Sequence, residues 1–217
     1  MNAREEILTR VRGALGDIMQ PDPVLDVPIP WEYGKPTAMP DILERFVEMT
    51  VDYKAVVRRV PVAGVPQAIA EMLIAAKVGS AVLPSGLDEA WCAAIVGAGI
   101  TVHRDEPQQL SRAELNAIEA VVTASAVSIA ETGTIVLDHA ADQGRRALTL
   151  VPDTHVVVVR ADQVVSDVPE AVGRLAAAIT SGSPLTWISG GSATSDIELI
   201  RVEGVHGPRT LLVVLVE

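Results

Sequence analysis

Strand-length runs alternating with segments of helical period constrain this chain most. Ala55–Val60 is β-branched, Ser80–Leu83 is short and apolar enough for a buried parallel strand, and Ile100–His103, Ala120–Ala124, His155–Val159 and Thr210–Val216 have similar character. Between them lie helices. Pro66 opens one with Ile69, Met72 and Leu73 on its buried face, Asp88–Val96 is a second, and Ser111 to Glu119 is a third with its own Ser-x-x-Glu capping box. Such crossovers imply a parallel sheet covered by helices through right-handed connections.

The second half changes character. Val127–Ala130 and Thr134–Leu137 are separated only by Glu131-Thr132-Gly133, too short for a helical crossover, so they are expected to form a hairpin or a bent strand and make the sheet mixed. Pro169–Ile179 is expected as a helix with Val172, Leu175, Ala176 and Ile179 inward, followed by a strand at Leu185–Ser189. The expected class is α/β: a mixed sheet with a parallel portion flanked by helices.

The amino-terminal part differs. Residues 3–15 read as an amphipathic helix with Ile7, Leu8, Val11 and Leu15 on one face, Asn2 as cap, and Glu6 and Arg10 at i,i+4 spacing. Prolines 21, 23, 28, 30, 36 and 40 then forbid regular helix or central strand between Asp17 and Pro40, giving an extended arm that Trp31 and Tyr33 would anchor in a groove. The division is residues 1–40 as helix and arm, and 41–217 as the main domain. That domain opens with the capping pattern Asp41-Ile42-Leu43-Glu44 and a helix bearing Leu43, Phe46 and Val47 inward.

Composition narrows the function classes. Hydrophobic residues at 49% against 21% charged exclude a disordered chain, and no apolar run approaches the roughly 18–20 residues of a membrane span. With 17 Lys and Arg against 28 Asp and Glu, the net charge of -11 opposes nucleic acid and anionic membranes. One cysteine, Cys92, makes neither an intrachain disulfide nor a cysteine-based zinc site nor an iron–sulfur cluster, so a redox centre would have to sit on a partner. Arg4, Glu5, Glu6, Arg10 and Arg12 interrupt any signal-peptide core, and a cytoplasmic location is expected.

Four segments concentrate polar chemistry. In Ala130-Glu131-Thr132-Gly133-Thr134, Glu131 is a nucleophile or general base, Thr132 and Thr134 are donors to anionic oxygens, and Gly133 permits a close backbone approach to ligand; the alternative is a plain hairpin with Glu131 solvated. Around Gln143, Gly144 precedes Arg145 and Arg146, either an anion clamp or ordinary surface charge. The Gly/Ser loop Ser189-Gly190-Gly191-Ser192-Ala193-Thr194-Ser195-Asp196-Ile197-Glu198 follows a strand, as anion-binding backbone loops do, yet it is neither a Walker loop nor a nucleophile elbow; the alternative is a loop in which Ser195 or Asp196 caps a helix. In Glu203-Gly204-Val205-His206-Gly207-Pro208-Arg209, the flanking glycines and proline place His206 as a proton donor or a structural turn residue. The histidines lack metal-ligand spacing, and no metal is expected.

Taken in order, Ile129-Ala130-Glu131-Thr132-Gly133-Thr134, Gln143-Gly144-Arg145-Arg146-Ala147-Leu148-Thr149-Leu150, Ile188-Ser189-Gly190 with Ser192 to Glu198, and Val202 to Arg209 resemble the LUD-domain family, in its lactate-utilization protein C branch. The resemblance covers roughly residues 41–217, with Gly191 standing where proline is frequent. It implies a fold like that of the NagB/RpiA/CoA-transferase superfamily. It also implies a part in oxidising L-lactate to pyruvate beside two iron–sulfur partner proteins, with no cofactor in this chain. Positions matching the motifs are Glu131 and His206 as catalytic residues, and Thr132, Gly133, Thr134, Gln143, Arg145, Arg146, Ser189, Gly190, Ser192, Ser195, Asp196, Glu198 and Arg209 as ligand-binding ones. Whether this chain turns over substrate is open: the principal expectation is a non-redox subunit. The alternative is a stand-alone enzyme or binding module for an anionic acyl or phosphorylated metabolite, with Glu131 and His206 converging in one cleft.

Overall fold

The computed structural model describes residues 2–19, 22, 25, 35–194, 202–203 and 207–217. The chain forms two compact units, Met1–Tyr33 and Gly34–Glu217. In the first, helix α1 (Ala3–Ala14) is closed by a reciprocal capping box in which Asn2 accepts from the Glu5 amide and Glu5 accepts from the Asn2 amide. Arg10 pairs with Glu6 at 2.6 Å, and none of the helix is buried, so Ile7, Val11 and Leu15 stand exposed. Trp31 and Tyr33 lie outside the described residues. Residues 35–40 belong to the second unit, where Thr37 donates from its amide to Ser166 Oγ and from its hydroxyl to Asp167 Oδ2.

The second unit is built on six parallel strands: β1 (Val56–Val60), β2 (Ser80–Leu83), β3 (Thr101–Arg104), β4 (Ala120–Thr123), β7 (Thr154–Arg160) and β12 (Thr210–Val216). Their spatial order is β1-β12-β7-β4-β2-β3. The expected hairpin forms between β5 (Val127–Ile129) and β6 (Thr134–Leu137), with Val127 opposite Val136. Its antiparallel pairing does not mix the main sheet, however. The outer edge of β5 is taken by β8 (Val164–Val165) and that of β6 by β9 (Thr186–Ile188), so the mixed part is a separate four-stranded sheet.

The central strands are continuously apolar because both faces are covered. On one face Val156, Val158, Leu212 and Val214 pack with Ile69 and Leu73 of α3 (Val65–Ala75) and Ile95 of α4 (Glu89–Gly97). On the other, Val157, Val159, Val213 and Leu215 meet Phe46 of α2 (Ile42–Asp52) and Ile135 and Leu137 of the smaller sheet. Alternation therefore selects between two apolar environments. Asp41 caps α2 by accepting from the amides of Leu43 and Glu44, as the sequence pattern predicts.

Two helices differ from expectation. α5 (Arg112–Asn116) has the Ser111 capping box but stops short of Glu119, whose carboxylate accepts from the Ser80 amide at 3.2 Å and so ties the chain to the start of β2. The segment after Asp167 is broken at Leu175 into α6 (Val168–Arg174) and α7 (Ala176–Thr180). Its buried stripe is Ala171 and Leu175, four residues apart, whereas Val172, Ala176 and Ile179 face outward. Phe46, fully buried between α2 and the main sheet, tests this packing. Phe46→Ala is expected to cost about 3–5 kcal/mol in urea denaturation, and a loss below about 1 kcal/mol would contradict the described core.

Candidate functional site

The turn between β5 and β6 carries a chain of three hydroxyls. Thr132 Oγ1 is 2.7 Å from Thr134 Oγ1, which is 2.7 Å from Ser189 Oγ. Glu131 is exposed, and its carboxylate makes no hydrogen bond or ion pair among the described residues. Gly133 does adopt positive φ, but what approaches it is protein: a Cβ there would lie 2.7 Å from the Met49 carbonyl carbon and 2.8 Å from the Thr50 amide nitrogen. The glycine seats the turn on the end of α2 rather than on a ligand.

The loop after β6 separates the two adjacent arginines. Gln143 is buried and its Oε1 accepts from the amides of Asp138 and His139, so it closes the loop and is not offered to a ligand. His139 Nδ1 donates to the Gly144 carbonyl at 2.7 Å, and its Nε2 lies 2.8 Å from the Thr186 hydroxyl. Arg145 turns to Asp105: Nε and Nη2 reach the two carboxylate oxygens at 2.7 and 2.9 Å, and Nη2 also donates to the Leu110 carbonyl. Burial alone would raise the Asp105 pKa. The hydrogen bonds from Arg145 and the Leu110 amide, with the guanidinium charge, hold it below the usual range instead. Arg145 is thus an internal clamp, not half of an anion clamp.

Arg146 points elsewhere. It opens a 3-10 turn (Arg146–Thr149), donates to Thr149 Oγ1 at 3.2 Å and makes no ion pair among the described residues. Its pKa is lowered by loss of hydration. This guanidinium lines a cleft of about 230 Å³ together with His155, Thr149, Thr186, and the Ser189–Ser192 loop. The loop is held from both sides. Gly190 has positive φ and a Cβ there would lie 2.6 Å from the Tyr53 carbonyl, Gly191 abuts the Arg209 carbonyl, and the Ser192 amide donates to Pro208 O at 2.7 Å.

The structure therefore brings together Arg146, Ser189, Gly190 and Ser192 in the cleft, with Thr134 and Thr132 joined to it through Ser189. Gln143, Arg145 and Gly133 are structural, and Glu131 does not line the cleft. Arg209 pairs with Asp153 at 3.3 Å and lines a different cavity at the amino-terminal edge of the main sheet. Ser195, Asp196, Glu198 and His206 lie outside the described residues, as does the expected meeting of Glu131 and His206. The Gly/Ser loop runs into a short ribbon, β10 (Ala193–Thr194) paired with β11 (Val202–Glu203). Among the described residues no group of three or more His, Cys, Asp or Glu is arranged to hold a metal, and no helix is long and apolar enough to cross a membrane.

Sequence reasoning missed His155 and Thr186, each embedded in a strand where it reads as an interruption of an apolar run. His155 is fully buried, with Nε2 2.8 Å from Thr123 Oγ1. Burial, then the Arg146 charge, push its pKa down to about 3.

The family profile described as LUD domain matches residues 43–216. The chain belongs to the LUD-domain family. It is 48% identical to a protein named lactate utilization protein C from Deinococcus radiodurans, over 99% of this chain and 95% of that relative. A protein of the same name from Bacillus subtilis is 34% identical over 44% of this chain and 41% of its own length. The crystal structure of a DUF162 family protein from Deinococcus radiodurans superposes with a TM-score of 0.71 at 46% identity, covering 84% of this chain and all of that one. The LUD domain here thus includes the whole cleft, from Arg146 to Leu211.

His155 gives the LUD domain an acid-sensitive element. The unfolded chain takes up a proton on this ring near pH 6.5, whereas the folded chain does so only near 3, so stability is fully present above 6.5 and falls as pH drops through that window. The contribution is at most about 1.4 kcal/mol per pH unit. In urea denaturation at successive pH values, His155→Gln is expected to flatten the fall of stability between 6.5 and 3. An unchanged slope would contradict a buried neutral ring.

Proposed function

We propose that this LUD domain is a cluster-free subunit of a lactate-utilization system, acting with two iron–sulfur partner proteins in the oxidation of L-lactate to pyruvate. Its own contribution is a cleft for a small carboxylate. The name of the Deinococcus radiodurans relative, aligned along nearly the whole of both chains, supports the role in lactate utilization. Removing two electrons from lactate requires an acceptor, and Cys92 as the sole cysteine fits an acceptor carried by partners. The exposed apolar side chains of α1 and the proline-rich arm would serve as docking segments.

The observation that carries the cleft's role is Arg146. Its guanidinium is partly dehydrated and unpaired with any described carboxylate, and it stands beside the hydroxyl-bearing residues Thr149, Thr186 and Ser189. A carboxylate arriving there displaces no internal ion partner and gains charge-assisted hydrogen bonds. Neighbouring His155 is neutral at physiological pH, so Arg146 supplies the cleft's positive charge. Glu131, the nucleophile required by an acyl-transfer alternative, does not line this cleft.

Calorimetric titration with pyruvate and L-lactate tests the cleft. Arg146→Met is expected to weaken binding about 10- to 100-fold, the scale of a hydrogen bond to a charged group, while leaving thermal stability near wild type. Arg145→Met should instead lower stability by leaving Asp105 buried and unpaired. Wild-type pyruvate affinity in Arg146→Met would remove the cleft from the proposal.

A further inference from the structure

The main sheet contains one point at which neighbouring strands send the chain in opposite directions. β2 leads through α4 to the edge strand β3, while β4 leads away to β7 on its other side. In open parallel sheets the crevice beyond the carboxyl ends of such a strand pair is where ligands bind. A cavity of about 530 Å³ opens there, roughly twice the volume of the Arg146 cleft and at the opposite end of the strands. It is lined by Gly86, Leu87 and Asp88 after β2, Ala124 after β4, and the last residues of β7 and β12.

The walls are mainly apolar, with Val65 and Pro66 of α3 facing the cavity and Trp91 of α4 supplying a flat surface. The polar groups are unevenly committed. Gln163 is used internally, since Nε2 donates to the Ser125 carbonyl and Oε1 accepts from Ser125 Oγ and the Arg160 amide. Arg160 Nε pairs with Asp162 at 3.2 Å. Asp88 spends one oxygen on capping α4 through the Ala90 amide. Asp142 forms no ion pair among the described residues and is half-buried; burial raises its pKa, and hydrogen bonds from its own amide and the Gln143 side chain, with the Arg160 charge, offset that rise only in part.

Asp142 is also held in place by the end of β2. The Gly86 amide donates to the Ala141 carbonyl at 3.0 Å, and a Cβ on Gly86 would lie 2.7 Å from the Asp142 nitrogen. The glycine thus lets the loop bearing Asp142 close onto the cavity.

We infer that this switch-point cavity is a second ligand site, which takes a small organic amine whose flat ring lies against Trp91 and whose ammonium group meets Asp142 and Asp88. It is distinct from the Arg146 cleft and has the opposite charge preference. Phenethylamine and 2-phenylethanol share a ring and a two-carbon arm and differ in charge, so they serve as paired probes for calorimetric titration of the full chain. Phenethylamine is expected to bind with a Kd of about 1 mM, the range for so few heavy atoms, and 2-phenylethanol at least about tenfold more weakly. Quenching of Trp91 fluorescence, identified by its loss in Trp91→Phe, should follow the same isotherm. Asp142→Asn should weaken phenethylamine about tenfold without altering pyruvate binding to the Arg146 cleft. No saturable binding up to about 20 mM, equal affinity for amine and alcohol, or undiminished amine binding by a folded Asp142→Asn would each overturn the inference.

Discussion

The pair formed by Asp105 and Arg145 fixes the loop on which the cleft depends. Arg145 grips both carboxylate oxygens and the Leu110 carbonyl, while the Leu110 amide returns a hydrogen bond to Asp105. The link joins the segment after β3 to the one after β6, forty residues apart. The Asp105 side chain is only 7% exposed, so breaking one partner costs more than the pair contributes, because the carboxylate would remain buried. With Arg145 turned inward, the next residue begins a 3-10 turn and directs Arg146 to the cleft. One arginine is spent so that its neighbour is aimed.

The two-sided burial of the main sheet places the Arg146 cleft and the switch-point cavity. Helices α3 and α4 cover one face, and α2 with the smaller sheet covers the other. The smaller sheet brings β9 and the Gly/Ser loop to the starting ends of β7 and β12, where His155 and Leu211 face the Arg146 cleft. The carboxyl ends of the same strands instead meet α3, α4 and the Asp142 loop. The cleft holding Arg146 and the mainly apolar cavity bearing Asp88 and Asp142 therefore occupy opposite ends of one parallel sheet.

Much of the framework was legible in the sequence because it follows from local pattern. Strand-length apolar runs, Pro66, and the caps at Asp41, Asp88 and Ser111 mark elements through short-range chemistry. The assignment of hairpin and parallel strands to separate sheets was not legible, since it depends on which edges β8 and β9 occupy. The phase of α6 shifted for a related reason: the buried stripe at Ala171 and Leu175 is chosen by β5 and β6, whose partners are distant in sequence.

The same division holds at the site. Gly133 and Gly190 announce positive φ, yet only the packed structure shows that Met49 and Tyr53 are what approach them. Adjacent arginines look equivalent as sequence, and only the distant Asp105 distinguishes a clamp from a ligand-facing group. The central claim, that this LUD domain is a required subunit whose cleft serves lactate oxidation, is tested most directly by reconstitution. L-lactate-dependent reduction of an artificial electron acceptor would be followed with the two iron–sulfur partner proteins, with and without this chain. The account predicts turnover only when the chain is present, and turnover that is unchanged by its omission would contradict it.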